Sequence, residues 1–316
     1  MPPIHELPHP TQALETEQYL PIREVTKQTG VNPVTLRAWE RRYGLVIPLR
    51  TAKGHRLYTQ QHVEQIHQIL TWINRGVAVS RIRELLEQNQ EAVEAPGDDP
   101  WEQLRQELGA AVTALAERRL DEAYNRATAL YPTPTLCQHL LLPLLDELEQ
   151  RWQSQFGSQL ERVFFQTWLR SKLAMRVYHN NRQQQGAPVL LVNLSDNAEL
   201  GMWLCAWLLS DAYSAVEVLD SAIPLEELTL AIERLQPKAV LLYSSHSVDL
   251  AALNRHIQRL QQHSAVAIML VGPAVKIHQH ELNTVTRPSE ASLLDVPQRL
   301  FVSKVSPSTP PNPAQQ

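Results

Sequence analysis

Residues 20–44 read LPIREVTKQTGVNPVTLRAWERRYG, and the fold of the first third of the chain turns on them. Gly30 can take the left-handed backbone that ends a helix. Asn32 is a good N-cap, and Pro33 suits the first helical position because its missing N–H would have no partner there. The stretch therefore predicts helix, tight turn, helix. On a second helix from Pro33 to Tyr43, spacings of three and four gather Leu36, Trp39 and Tyr43 on one face, with Val34, Arg37, Ala38 and Arg41 on the other. An apolar anchor opposite an arginine-bearing face suits a recognition helix in the major groove of duplex DNA. Trp39 reads as core. Arginine can pair with guanine edges or hold phosphates, and the sequence leaves that choice open.

The next segment, PLRTAKGHRLYT (48–59), crowds Arg50, Lys53, His55, Arg56 and Tyr58 around a hairpin-like AKG turn. A short basic ribbon of this kind can lie along a phosphate backbone as a wing. Thr59 is placed to cap a third helix over QQHVEQIHQILTWINRG (60–76), on which His62 and His67 read as surface positions. VAVSRIRELLEQ (77–88) predicts one more short helix. The candidate DNA-contacting residues are Thr35, Arg37, Ala38, Arg41, Arg50, Lys53, His55, Arg56 and Tyr58. Charge agrees: residues 19–88 hold eleven Lys/Arg against five Asp/Glu, whereas 89–316 hold eighteen against twenty-five. A basic head on an acidic body points to a polyanion-binding module attached to a sensing or assembly module.

NPVTLRAWERRYGL, RTAKGHRLY and WINRGVAVSRIRELL resemble the winged helix-turn-helix of the MerR family, within its MlrA-like and CarH-like branch. The resemblance implies a bacterial transcription regulator that binds double-stranded promoter DNA as a homodimer or larger homo-oligomer. It also implies an indirect action on RNA polymerase and a cytoplasmic, nucleoid-associated location. By position, Thr35, Arg37 and Arg41 match the family's recognition helix, and Arg50, Lys53, His55, Arg56 and Tyr58 match its wing. Two family features are missing. No cysteines stand in or near a C-terminal sensing loop, and SRIRELLEQNQ (80–90) stops at an acidic linker where other members continue into a long dimerising helix. Dimerisation is therefore expected in the body.

The expected fold class is α and α/β multidomain: a winged helix-turn-helix, a four-helix bundle, then a small parallel Rossmann-like α/β domain. At 316 residues the chain has room for all three. Residues 1–18 read as a disordered lead, 19–88 as the DNA-binding domain, 89–100 as a linker, and 101–186 as the helical bundle. The bundle pattern breaks at YPTPT (131–135) and FGSQ (156–159). After Gly186 the periodicity changes: PVLLVNL (188–194), AVEVLD (215–220), KAVLLYS (238–244) and AVAIMLVG (265–272) are strand-like. Helical patterns over 199–212, 224–236 and 248–263 separate them, as in a parallel sheet with crossover helices. The α/β domain is expected over 187–303, with an ambiguous end from 276 onward, and 304–316 read as a disordered tail. Cys137 and Cys205 lie far apart in apolar helical patterns and read as small core residues. No apolar run reaches membrane-spanning length, and the N-terminus lacks a signal pattern.

LSDNAELGMW (194–203) joins a strand to a helix where parallel α/β folds bind ligands. The bundle and α/β domain together resemble the cobalamin-binding module of CarH-like regulators and of methionine synthase. That module carries Asp-x-His-x-x-Gly, whose histidine ligates cobalt while the loop receives the nucleotide tail. Here Asp196 and Gly201 keep the frame, but Ala198 stands at the histidine position and has no lone pair for a metal. The helical half should carry tryptophan, nine residues, then Glu-His. Trp152 is present, with Arg162 and Val163 at the later positions. His139, His179, His246 and His263 match neither site.

The expectation is a module without cobalamin ligation and without metal or catalytic residues; the alternatives are an adenosylcobalamin-dependent light response or sensing of another ligand such as a nucleotide. Residual ligand candidates are Trp152, Asp196, Asn197, Gly201, Ser244, Ser245 and Gly272, with SSHS (244–247) able to bond a polar ligand or simply to end a strand. No dinucleotide or Walker loop is present. Trp203 and Trp207 are spaced to pack the sheet or to face the bundle, and core packing is the expected role.

Overall fold

The structure, a computed structural model, describes residues 19–87, 99–153, 158–197, 199–212, 214–282, 289–290 and 292–302. The expected lead (1–18) and tail (304–316), all but the last two residues of the expected linker (89–100), and Ala198 lie outside them. The described residues divide into two compact units, 1–108 with 118–136 and 109–117 with 137–316.

The first unit opens with β1 (Leu20–Pro21) and α1 (Ile22–Thr29), followed by α2 (Pro33–Ala38). Gly30 ends α1 at φ +71°, and its N–H donates to Thr26 O at 2.9 Å. The Asn32 Oδ1 accepts from the N–H groups of Val34 and Thr35 at 3.0 and 2.9 Å. The helix-turn-helix is thus closed by the local chemistry expected of it. One local expectation changes. The helix predicted over 33–43 is α-helical only to Ala38, and Trp39–Tyr43 form a π-helical turn closed by Gly44 at φ +61°.

β2 (Leu49–Arg50) and β3 (Arg56–Tyr58) form the wing, and β1 pairs with β3 to complete an antiparallel sheet in the order β1-β3-β2. α3 (Gln60–Asn74) is capped by Thr59, whose backbone N–H in turn donates to His62 Nδ1 at 3.0 Å. α4 (Val79–Glu87) follows. The head's core is Val25, Val31, Leu36, Trp39, Val46, Tyr58, Ile66, Ile69, Ile73 and Ile82.

The same unit takes in most of α5 (Pro100–Thr113), all of α6 (Glu117–Leu130), and the short α7 (Thr133–Leu136). The Trp39 indole N–H donates to Leu130 O at 2.8 Å. The Trp101 and Tyr131 rings pack at a 50° tilt, 4.4 Å between centres. The recognition segment is therefore braced from behind by α6.

In the second unit a π-helical turn (Cys137–Leu141) leads into α8 (Leu142–Trp152), followed by α9 (Ser158–Asn181). Beyond them lies the parallel sheet. Its strands β4 (Val189–Asn193), β5 (Val216–Leu219), β6 (Ala239–Tyr243) and β7 (Ala267–Val271) coincide with the four expected runs. α10 (Leu200–Asp211), a short 3₁₀ turn (Leu225–Glu227) with α11 (Leu228–Leu235), and α12 (Leu250–His263) are the crossovers. The ambiguous end resolves into α13 (Ala274–Ile277), α14 (Gln279–Leu282), a two-residue β8 (Ser289–Glu290) parallel to β7, and α15 (Val296–Val302).

Sheet order is β5-β4-β6-β7-β8. Chain direction along the sheet reverses between β4 and β6, and at that switch point open α/β sheets form their crevice. Alternation in the strands sends Leu190, Val192, Val240, Leu242, Ile268 and Leu270 onto α11 and α12. α10 is buried on nearly every side, through Met202, Leu204, Cys205, Trp207, Leu208 and Leu209, because it packs on both α9 and the sheet.

Candidate DNA interface and ligand site

On the recognition segment Leu36 and Trp39 are buried, while Val34, Arg37 and Arg41 face outward, as the spacing predicts. Arg42, on the π-helical turn, is exposed as well, a cation that the candidate set did not include. At the wing tip Gly54 takes φ +81° and the turn is closed by Thr51 N–H to His55 O at 2.9 Å, leaving Lys53 and His55 exposed.

Three expected contacts lie inside instead. Thr35 is 0% exposed with no hydrogen-bond partner for its hydroxyl, Ala38 is 5% exposed, and Tyr58 is 1% exposed with its phenol oxygen likewise unpartnered. A duplex reaches only side chains that water reaches, so these three support the surface rather than form it. Thr35 entered the set through its match to the family's recognition helix and Ala38 through spacing of three and four, and both are short side chains that the packed head closes over.

The residue that sequence reasoning missed here is Glu40. Its Oε1 accepts from Arg50 at 2.7 Å and its Oε2 from Arg56 at 2.6 Å. One carboxylate on the recognition segment thus ties down both strands of the wing. The Glu40 side chain is 13% exposed, so the carboxylate end of both pairs is sheltered from water. Burial alone would raise its pKa. The hydrogen bonds and charges of Arg56 and Arg50 together outweigh burial and hold the carboxyl below its ordinary value. Burial first, then the Glu40 charge, push the Tyr58 phenol above its ordinary value. An acid embedded among basic residues is the signal that could have revealed this clamp.

In the second unit, Asp196, Asn197, Gly201, Ser244, Ser245 and Gly272 are brought together at the carboxyl edge of the sheet, while Trp152 is not among them. Trp152 lies on α8, buried, its indole N–H bonded to Glu161 at 3.4 Å and its ring 6.2 Å from Phe165. Arg162, at the glutamate position of the resembled motif, pairs with Glu149 at 2.9 Å. The loop after β4 is organised from within. Buried Asn193 donates to Asn197 O and Asp220 O at 2.8 and 3.0 Å and accepts from Ser195 N–H at 2.9 Å. Ser244 is spent on a local turn, with bonds to His246 O and from His246 N–H.

Ser245 donates to Glu199 Oε1 at 2.8 Å, and His246 Nδ1 lies 3.3 Å from the same oxygen. Glu199, buried at the start of α10, was also missed. A carboxylate heading an apolar helix was its only trace. Trp207 packs in the core, whereas Trp203 is half-buried and borders a shallow cleft of about 100 Å³ with Val163, Thr167, Arg170, Glu199 and Leu200. Among the remaining histidines, His179 bonds Gln183 at 2.9 Å, and the His263 side chain lies outside the described residues.

Whether these residues fit a cobalamin is a question of donors and of room. Val163 and Ala198 offer no donor at the expected ligand positions. The Tyr243 side chain fills the space that a β-carbon would take beside both Gly201 and Gly272.

An arginine-studded helix held to a basic wing defines a winged helix-turn-helix DNA-binding protein. The MerR HTH family regulatory protein description matches residues 20–89, and a B12 binding domain matches 104–176. The HTH-type transcriptional regulator MlrA of Escherichia coli is 34% identical over 209 residues, covering 64% of this chain and 80% of that protein. The HTH-type transcriptional repressor CarH of Myxococcus xanthus is 27% identical over 264 residues, covering 79% and 87%. A solved monomethylamine corrinoid protein of Methanosarcina barkeri superposes with a TM-score of 0.47 at 12% identity, over 64% of this chain and 97% of that one. The chain belongs to the MerR family of helix-turn-helix regulators. It is a DNA-binding transcriptional regulator.

Proposed function

We propose that residues 19–88 recognise double-stranded promoter DNA, with Arg37 and Arg41 reading the major groove and Lys53 and His55 holding phosphates. Arg50 and Arg56 reach the backbone from positions set by Glu40. The observation that carries this reading is the exposed Arg37–Arg41 face on a segment whose other face, Leu36 and Trp39, is locked in the core. The protein acts as a homodimer or larger homo-oligomer on a pseudo-palindromic site, and its effect on RNA polymerase passes through the shape of the promoter. Residues 101–186 and 187–303 supply assembly and sensing without ligating cobalt, and the chain works in the bacterial cytoplasm at the nucleoid. Among the described residues no helix is long and apolar enough to cross a membrane.

The test is binding to a duplex selected from a random pool and to a scrambled duplex, across a salt series. Arg37→Ala should cost about 1–3 kcal/mol on the selected duplex and little on the scrambled one. Lys53→Ala should weaken both alike and reduce the salt slope by about one. Equal losses from both variants on both duplexes would refute the division of labour.

A second reading, a light-responsive regulator holding adenosylcobalamin, is favoured by the match of a B12 binding domain to residues 104–176. Gel filtration after dark incubation with adenosylcobalamin decides between them. Retained visible absorbance with the protein peak supports the second reading, and its absence supports the first.

A further inference from the structure

Gly201 stands in the first turn of α10, and Gly272 follows β7 at φ +96°. Both face the side chain of Tyr243, the last residue of β6, which is 2% exposed. A β-carbon built on Gly201 would collide with the Tyr243 phenol oxygen. One built on Gly272 would stand 2.9 Å from Cε2 and 3.2 Å from Cδ2 of the same ring, and 2.9 Å from Ser244 O. Real β-carbons do not approach so closely, so the room left by the two missing side chains is already taken by the ring. Leu293 closes the Gly201 side, 3.8 Å from the same built β-carbon. Strand order places Tyr243 beside the β4–β6 switch point, where a ligand entering the sheet edge would have to pass.

We infer that Tyr243 is a built-in occupant of the slot in which the resembled module receives its nucleotide tail. The ring excludes that tail by volume, independently of which residues face cobalt. The inference rests on the reading of this domain as a cobalamin-type module. It goes beyond the loss of cobalt ligands, because restoring histidines at positions 163 and 198 would not reopen the slot. Truncating Tyr243 would leave a vacancy with the flat shape of the ring, lined by Gly201, Gly272, Leu293 and the Ser244 carbonyl, so its chemical class of guest is a bare aromatic heterocycle. Cavities made by removing a buried side chain can take up flat aromatic molecules of matching size.

The experiment uses the full chain and benzimidazole, a cobalt-free probe, in thermal unfolding. Tyr243→Ala should unfold at a lower temperature than the parent and recover about 2–4 °C with excess benzimidazole. The parent chain and Tyr243→Phe, which keeps the ring, should not respond. If the alanine variant does not fold, Tyr243→Val supplies the same vacancy on a better strand former. An equal response of parent and truncated variant, or no response in either truncated variant, would overturn the inference. Because no cobalt is present, that failure is separate from a failure of the no-ligation reading, which adenosylcobalamin retention tests.

Discussion

Thr35 separates pattern from packing at the scale of one residue. Its position on the helix matches a contact residue, yet its hydroxyl is buried and unpartnered. A buried hydroxyl without a partner costs about 1–3 kcal/mol. Thr35→Val keeps the shape and removes the orphan, so stability should hold or rise by up to about 1 kcal/mol while DNA affinity stays unchanged. Denaturant unfolding alongside a binding titration checks this. A drop in affinity with unchanged stability would return Thr35 to the interface. Arg37, two residues on, is legible from sequence because a long cation on the outer face has only one place to go.

For the recognition segment and wing as elements, the coupling runs through Glu40. The carboxyl is held below its ordinary pKa in the folded protein, burial being outweighed by Arg56 and Arg50. A depressed folded pKa means that the stabilisation is present above the unfolded value and is lost as pH falls through the folded one. Glu40→Gln should therefore lower the melting temperature at neutral pH, and its gap from the parent chain should close as pH falls through the carboxylate range. Melting curves along a pH series read this directly, and a gap that persists or widens in acid would contradict the clamp. The capped turn at Gly30–Pro33 was legible because its bonds are local. The pairing of β1 with β3 and the brace from Trp39 to Leu130 were not, since they join residues distant in sequence.

At the scale of the whole molecule, both cysteines are fully buried. Burial pushes the Cys205 thiol up to about 12 and the Cys137 thiol higher still, so neither supplies thiolate at neutral pH. A thiol-reactive probe should label neither in the native chain and both after denaturation. Prompt labelling of the native protein would show that α10 or the π-helical turn opens readily. The four long parallel strands were visible in sequence as β-rich runs separated by helical periods. β8 was not, because two residues carry no period.

By itself the sequence determined the winged head, the alternation of strands and helices beyond Gly186, and the absence of histidine at positions 163 and 198. Each of these is written in neighbouring residues: a glycine stop, an asparagine cap, a change of period, an alanine or valine without a lone pair. Only the tertiary structure decided which helix residues a duplex can touch, that Glu40 joins helix to wing, and that Tyr243 fills the space beside Gly201 and Gly272. These are facts of volume and distance between residues far apart in the chain, and no local pattern encodes them.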